Sequence, residues 1–147
     1  MTKSSFQDIS GCVATNRLAP PSKTSFLARM KRRILVAEDV STVRHLLGIV
    51  LNKAGFHVEF ASDGKEALQK VLDGNFDLII TDQYMPGITG EQLAVVISRT
   101  QPATPLILIT GNRFDPESRP SEGVCVRLYK PVAPEALLAA VNEALGG

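Results

Sequence analysis

Two short, unbroken apolar runs constrain this chain more than any other feature: Ile34-Leu35-Val36-Ala37 and Leu78-Ile79-Ile80. Runs of this length, without polar alternation, are what strands covered on both faces look like. Between and after them the sequence changes to a helical period. Residues 41–54 place Val43, Leu46, Leu47, Val50 and Leu51 on one face, with Ser41 or Thr42 as the cap and Gly55 as the stop. Residues 63–72 do the same with Ala67, Leu68, Val71 and Leu72, and residues 91–99 with Leu93, Val96 and Ile97. A closing helix over residues 135–145 turns Leu138, Val141, Ala144 and Leu145 inward. Further strands are expected at 57–61, 106–110 and 124–129. The order is βαβαβαβ, a break, then βα. Strands alternating with helices predict an α/β fold with a doubly wound, five-stranded parallel sheet and right-handed crossovers.

Composition sets the outer bounds. The chain has 147 residues, 44% hydrophobic and 21% charged, which fits one ordinary domain with a tail. No apolar run approaches the roughly 18 residues a membrane span needs. Residues 1–30 lack the apolar core of a signal peptide. Cys12 and Cys125 lie far apart without metal-ligand spacing, so a reducing, cytoplasmic setting without disulfides is expected. Residues 1–33 hold seven basic residues and one acidic, net +6, leaving −5 for the rest of a chain of net +1. Residues 1–30 are read as a basic, mostly disordered extension, with Pro20-Pro21 blocking a continuous helix. The folded domain is expected over 31–147.

In doubly wound sheets, ligand sites lie at the carboxyl ends of the central strands. Here the first strand ends on Glu38 and Asp39, the third on Asp82, the fourth on Thr110 and the fifth on Lys130. If the first and third strands are neighbours, three carboxylates converge, and like charges at that range raise one another's pKa. A divalent cation relieves the conflict, and hard oxygen donors suit Mg2+. The set reads as machinery for one phosphoryl group. Asp82 is the nucleophile that forms an acyl phosphate, and Lys130 and the Thr110 hydroxyl contact phosphoryl oxygens. A nucleotide or flavin site is disfavoured, because the Glu38-Asp39-Val40 loop repels an anion and no glycine-rich phosphate loop is present.

These pieces resemble the receiver domain of two-component response regulators. The match runs through Ile34-Leu35-Val36-Ala37-Glu38-Asp39, then Thr81-Asp82-Gln83-Tyr84-Met85-Pro86-Gly87, then Ile109-Thr110-Gly111 and Tyr129-Lys130-Pro131, over residues 33–147. The resemblance implies a flavodoxin-like strand order 2-1-3-4-5 and a cis Lys130–Pro131 bond. It implies Asp82 as phospho-acceptor, with Thr110 following the phosphoryl group and Lys130 as its ion-pair partner. Mg2+ would be held by Asp39 directly, by Glu38 mostly through water, by Asp82 and by the backbone carbonyl of Tyr84. The phosphate would come from a histidine kinase or a histidine phosphotransfer protein. The chain would then act by partner contact, or as a phosphate relay or sink. Beyond its own phosphotransfer and hydrolysis of the aspartyl phosphate, it is not expected to be an enzyme.

Three departures stand out. The family's aromatic residue three positions before the lysine is replaced by Arg127, which is expected to be exposed. Tyr129 is aromatic but adjoins Lys130, and is expected to face away from Arg127. Residues 111–123 are polar and carry Pro116 and Pro120, so the fourth helix of the family is expected to be short or degenerate. The chain ends at Gly147, directly after the closing helix, so no DNA-binding output domain is expected. The alternative reading is a pseudo-receiver, a scaffold that binds partners without phosphorylation. His45 and His57 have no partner pattern and are expected to be structural or exposed.

Overall fold

The computed structural model describes residues 32–111 and 121–146. The elements are β1 (Arg33–Ala37), α1 (Ser41–Lys53), β2 (His57–Ala61), α2 (Gly64–Asp73), β3 (Leu78–Asp82), α3 (Gly90–Thr100), β4 (Leu106–Thr110), β5 (Val126–Tyr129) and α4 (Pro134–Leu145). The strands form one five-stranded parallel sheet in the order β2-β1-β3-β4-β5. This is the doubly wound, flavodoxin-like arrangement expected. The extension expected over 1–30, and residues 112–120 of the segment in which a degenerate helix was expected, lie outside the described residues.

Alternation along buried strands sends successive residues to opposite helical layers. Ile34, Val36, Leu78, Ile80, Ile107 and Ile109 face α1 and α4, where Leu47, Leu51, Leu137 and Val141 cover them. Leu35, Ala37, Ile79, Leu106 and Leu108 face α2 and α3, against Ala67, Val71, Leu93 and Ile97. β3 and β4 are buried at every position, which accounts for the apolar runs Leu78-Ile79-Ile80 and Leu106-Ile107-Leu108-Ile109 that precede their polar ends. Each fully buried Leu or Ile contributes about 1.5–3 kcal/mol relative to exposure. Cys125 lies in the first of these layers as a small buried side chain.

Several local expectations are corrected. Neither Ser41 nor Thr42 caps α1; Val40 stands at that position without a side-chain cap. Leu46 and Leu72, expected inward, are 61% and 55% exposed. By contrast, α2 is capped by Asp63, whose side chain accepts from the Glu66 amide, and α3 by a reciprocal Thr89–Gln92 capping box. β5 begins at Val126, two residues later than expected. His45 and His57 are exposed, and the Lys130–Pro131 peptide is cis. No described helix is long and apolar enough to cross a membrane.

Candidate functional site

The parallel register fixes what meets at the carboxyl edge. Ala37 pairs with Thr81, so Glu38 and Asp39 leave β1 beside the end of β3. Asp82 pairs with Ile109, the neighbour of Thr110, and Thr110 pairs with Tyr129, the neighbour of Lys130. The Lys130 amide donates to the Thr110 carbonyl at 2.9 Å and the Glu38 amide to the Ala61 carbonyl at 3.0 Å, extending both ladders into the site.

Glu38, Asp39 and Asp82 each offer a carboxylate oxygen within 4.8 Å of the others. Glu38 and Asp82 are only 1% and 6% exposed, whereas Asp39 opens to solvent. The Lys130 ammonium lies 3.2 Å from Asp82 Oδ1 and 3.5 Å from Glu38 Oε1. Thr110 is buried at the end of β4. Tyr84, in the loop two residues past Asp82, has an exposed side chain. Thus Glu38, Asp39, Asp82 and Lys130 come together at contact range, with Thr110 and Tyr84 at the adjoining strand end and loop.

The electrostatics of this cluster are unbalanced. Burial pushes the Glu38 carboxyl above its usual range; repulsion from Asp82 and a hydrogen bond with Asp39 add to this, against the Val40 amide and Lys130. Burial also raises the Asp82 carboxyl, although its hydrogen bond and ion pair with Lys130 pull the other way. Burial would lower the Lys130 ammonium, but Asp82 and Glu38 together hold it above its usual value. One lysine therefore faces three carboxylates. Glu38 Oε2 accepts from the Val40 amide at 3.2 Å, while buried Oε1 has no hydrogen-bond partner; its 3.5 Å approach to Lys130 is an ion-pair contact. An orphaned, buried carboxylate oxygen within an all-oxygen donor set is what a hard divalent cation fits. Mg2+ suits these residues.

The loop after β3 is shaped by two glycines. Gly87 has φ +85, a left-handed turn following Met85-Pro86. Gly90 brings the start of α3 against the end of β3; its amide donates to the Gln83 carbonyl at 2.9 Å, and a Cβ there would lie 2.5 Å from the Asp82 carbonyl oxygen. Met85 anchors the loop in the core, 7% exposed.

That close approach creates a second polar cluster, which sequence reasoning missed. The Glu91 amide donates to Gln83 Oε1 at 2.8 Å, and Gln83 Nε2 donates to Glu91 Oε1 at 3.2 Å. Ser121 Oγ donates to Glu91 Oε2 at 2.8 Å. Arg127 Nη2 donates to Ser121 Oγ at 2.9 Å and lies 3.3 Å from Glu91 Oε2. The Ser121 hydrogen bond, with Arg127 and Gln83, holds Glu91 below the usual carboxylate range despite some burial. Arg127 is therefore not exposed as expected; its side chain keeps 18% exposure and is paired. Tyr129 does not face away from it: the two are two residues apart on β5, paired with Thr110 and Leu108, and share a face. The signal was an arginine on a strand face that points at a helix whose first turn carries an acid.

Known proteins share this fold. The family model for the response regulator receiver domain matches residues 34–142. The chain is 32% identical over 115 residues to the transcriptional regulatory protein ResD of Bacillus subtilis, covering 77% of this chain and 48% of that one. It is 36% identical over 109 residues to the sensor protein EvgS of Escherichia coli, covering 73% of this chain and 9% of that one. The chain thus spans about half or less of the length of these curated relatives. Among solved structures, it resembles the response regulator protein TrrA of Thermotoga maritima in complex with Mg2+-BeF, with TM-score 0.73 and 32% identity over 78% of this chain and 99% of that one. The chemotaxis protein CheY4 of Vibrio cholerae gives TM-score 0.71 and 32% identity over 78% and 98%. Sheet order, the acidic strand ends with their lysine, and a family match over most of the folded residues lead to one conclusion: the chain belongs to the response regulator receiver domain family of two-component systems.

Proposed function

We propose that Asp82 accepts a phosphoryl group from a phosphohistidine on a histidine kinase or phosphotransfer protein, and that the chain signals by the state of that residue. The observation that carries this reading is the pairing of a buried Asp82 with Lys130 at 3.2 Å, beside an orphaned Glu38 oxygen. An Asp82 carboxylate oxygen attacks phosphorus, a P–O bond forms, and the P–N bond breaks with its electron pair going to the imidazole nitrogen. Lys130 holds the negative charge next to the acceptor throughout, and the Thr110 hydroxyl donates to a phosphoryl oxygen. Glu38, Asp39, Asp82 and the Tyr84 carbonyl would hold Mg2+, which when bound supplies charge neutralisation that one lysine cannot. Burial around Glu38 and Asp82 excludes competing water and strengthens these interactions.

The folded unit is assigned to 31–147, with residues 1–30 as a basic extension. Output is assigned to contact with a partner, or to relay of the phosphoryl group. Against the scaffold alternative, Arg127 is turned to Glu91 and Ser121 and leaves the acidic set complete. The test is incubation with acetyl phosphate and intact-mass measurement. The expected result is a gain of one phosphoryl group that needs Mg2+ and disappears in Asp82→Asn. Labelling that survives Asp82→Asn refutes the assignment.

A further inference from the structure

The second polar cluster is tied to the first through the backbone. Gln83 directly follows Asp82, and its amide donates to the Ile109 carbonyl at 2.8 Å. Its side chain grips Glu91 at both the amide and the carboxylate. Glu91 in turn holds Ser121 and Arg127, which stand just before and on β5. β5 is four residues long, and Lys130 follows it immediately. This short strand is thus fastened to the end of β3 twice: by Lys130 directly to the Asp82 carboxylate, and by Arg127 through Glu91 and Gln83.

We propose that Arg127, Ser121 and Glu91 form a latch that holds β5 against the start of α3 in the unphosphorylated protein, and that it opens when Asp82 takes the phosphoryl group. The inference rests on Asp82 being the acceptor. A phosphoryl group carries the negative charge outward from the carboxylate and adds three acceptor oxygens. Lys130 follows that charge, and the strand it adjoins shifts relative to α3. Arg127 is on that strand, three positions back, and its 3.3 Å contact with Glu91 is the longest in the triangle. The two fastenings compete, because packed elements exchange between discrete arrangements rather than stretching. The latch stabilises the resting arrangement only, so the cost of opening it falls on phosphoryl binding. Its residues are positioning residues, since none is placed on the reacting atoms.

The experiment is an NMR titration of the full chain with beryllofluoride at saturating Mg2+, in wild type, Glu91→Gln, Arg127→Ala and the double variant, with Mg2+ alone titrated in parallel. Glu91→Gln preserves shape while removing the charge and one acceptor oxygen, so it serves if Arg127→Ala folds poorly. The expected result is beryllofluoride binding tighter by about three- to tenfold in each single variant, with no further gain in the double variant and Mg2+ affinity unchanged. Unchanged or weaker beryllofluoride affinity in both single variants, with wild type binding, overturns the latch alone. No binding by wild type, indistinguishable from Asp82→Asn, overturns the acceptor reading and the latch with it.

Discussion

The carboxyl edge of the sheet carries two charged clusters of opposite character. Around Glu91, every carboxylate oxygen has a donor: Gln83 on one side, Ser121 and Arg127 on the other. Its carboxyl accordingly sits below the usual range. Around Asp82, burial outweighs the donors available, two carboxyls are pushed upward, and Glu38 Oε1 has no hydrogen bond. Both clusters are acidic residues beside one cation. They differ in whether the protein itself completes the hydrogen bonding. A satisfied cluster fastens elements together; one left incomplete is poised for a ligand.

The contrast can be broken from its most costly side first. Lys130→Met removes the only cation within reach of Asp82 and Glu38 among the described residues. Metal-free stability should fall by about 2–3 kcal/mol at pH 7, short of the range for fully enclosed pairs because Lys130 is partly exposed. Chemical denaturation should show a smaller loss as pH falls through the range in which the raised carboxyls take up protons.

Saturating Mg2+ should stabilise the wild type by about 2–3 kcal/mol at a hundredfold excess over Kd, a rise in Tm of roughly 10 °C. Asp39→Asn should lose most of this. The sign of the pH dependence follows from the raised Glu38 and Asp82 carboxyls. Between their ordinary values and the raised ones, the native state binds more protons than the unfolded state. Metal-free stability should therefore increase as pH falls through that window, while the Mg2+ gain shrinks. A Mg2+ gain in Tm that does not diminish as pH falls toward the ordinary carboxylate range would contradict the charge balance described.

The smallest effect belongs to the satisfied cluster. Ser121→Ala deletes one donor to Glu91 and should cost about 1 kcal/mol at pH 7. Because the folded Glu91 carboxyl lies below its ordinary value of 4.5, that contribution is complete above this value and is lost as pH falls through the folded pKa. Denaturation curves for wild type and variant should converge in acid as pH falls through the lowered Glu91 pKa, whereas the shrinking loss in Lys130→Met follows the raised Glu38 and Asp82 carboxyls.

Much of the fold was legible because burial on both faces leaves a plain signature. The runs ending at Glu38 and Asp82 marked strands buried on both faces, while their adjacency, and with it the converging acids, followed only from the strand order that the family resemblance implied. Helix faces were read less sharply: successive residues lie about 100° apart, so only one of two adjacent leucines joins the stripe. Leu47 and Val71 are buried while Leu46 and Leu72 are exposed. The Arg127 network was hidden for another reason. Its members, Gln83, Glu91, Ser121 and Arg127, are spread over 45 residue positions and meet only because Gly90 lets α3 start against β3. No local periodicity encodes that approach.

The most direct test is chemical mapping of the acyl phosphate. The protein is loaded with acetyl phosphate and Mg2+, reduced with borohydride, which converts an aspartyl phosphate to homoserine, and digested for peptide sequencing by mass spectrometry. Conversion confined to position 82 is the predicted result. Conversion at Glu38 or Asp39 instead, or an unmodified Asp82 in protein that has bound Mg2+, would contradict it.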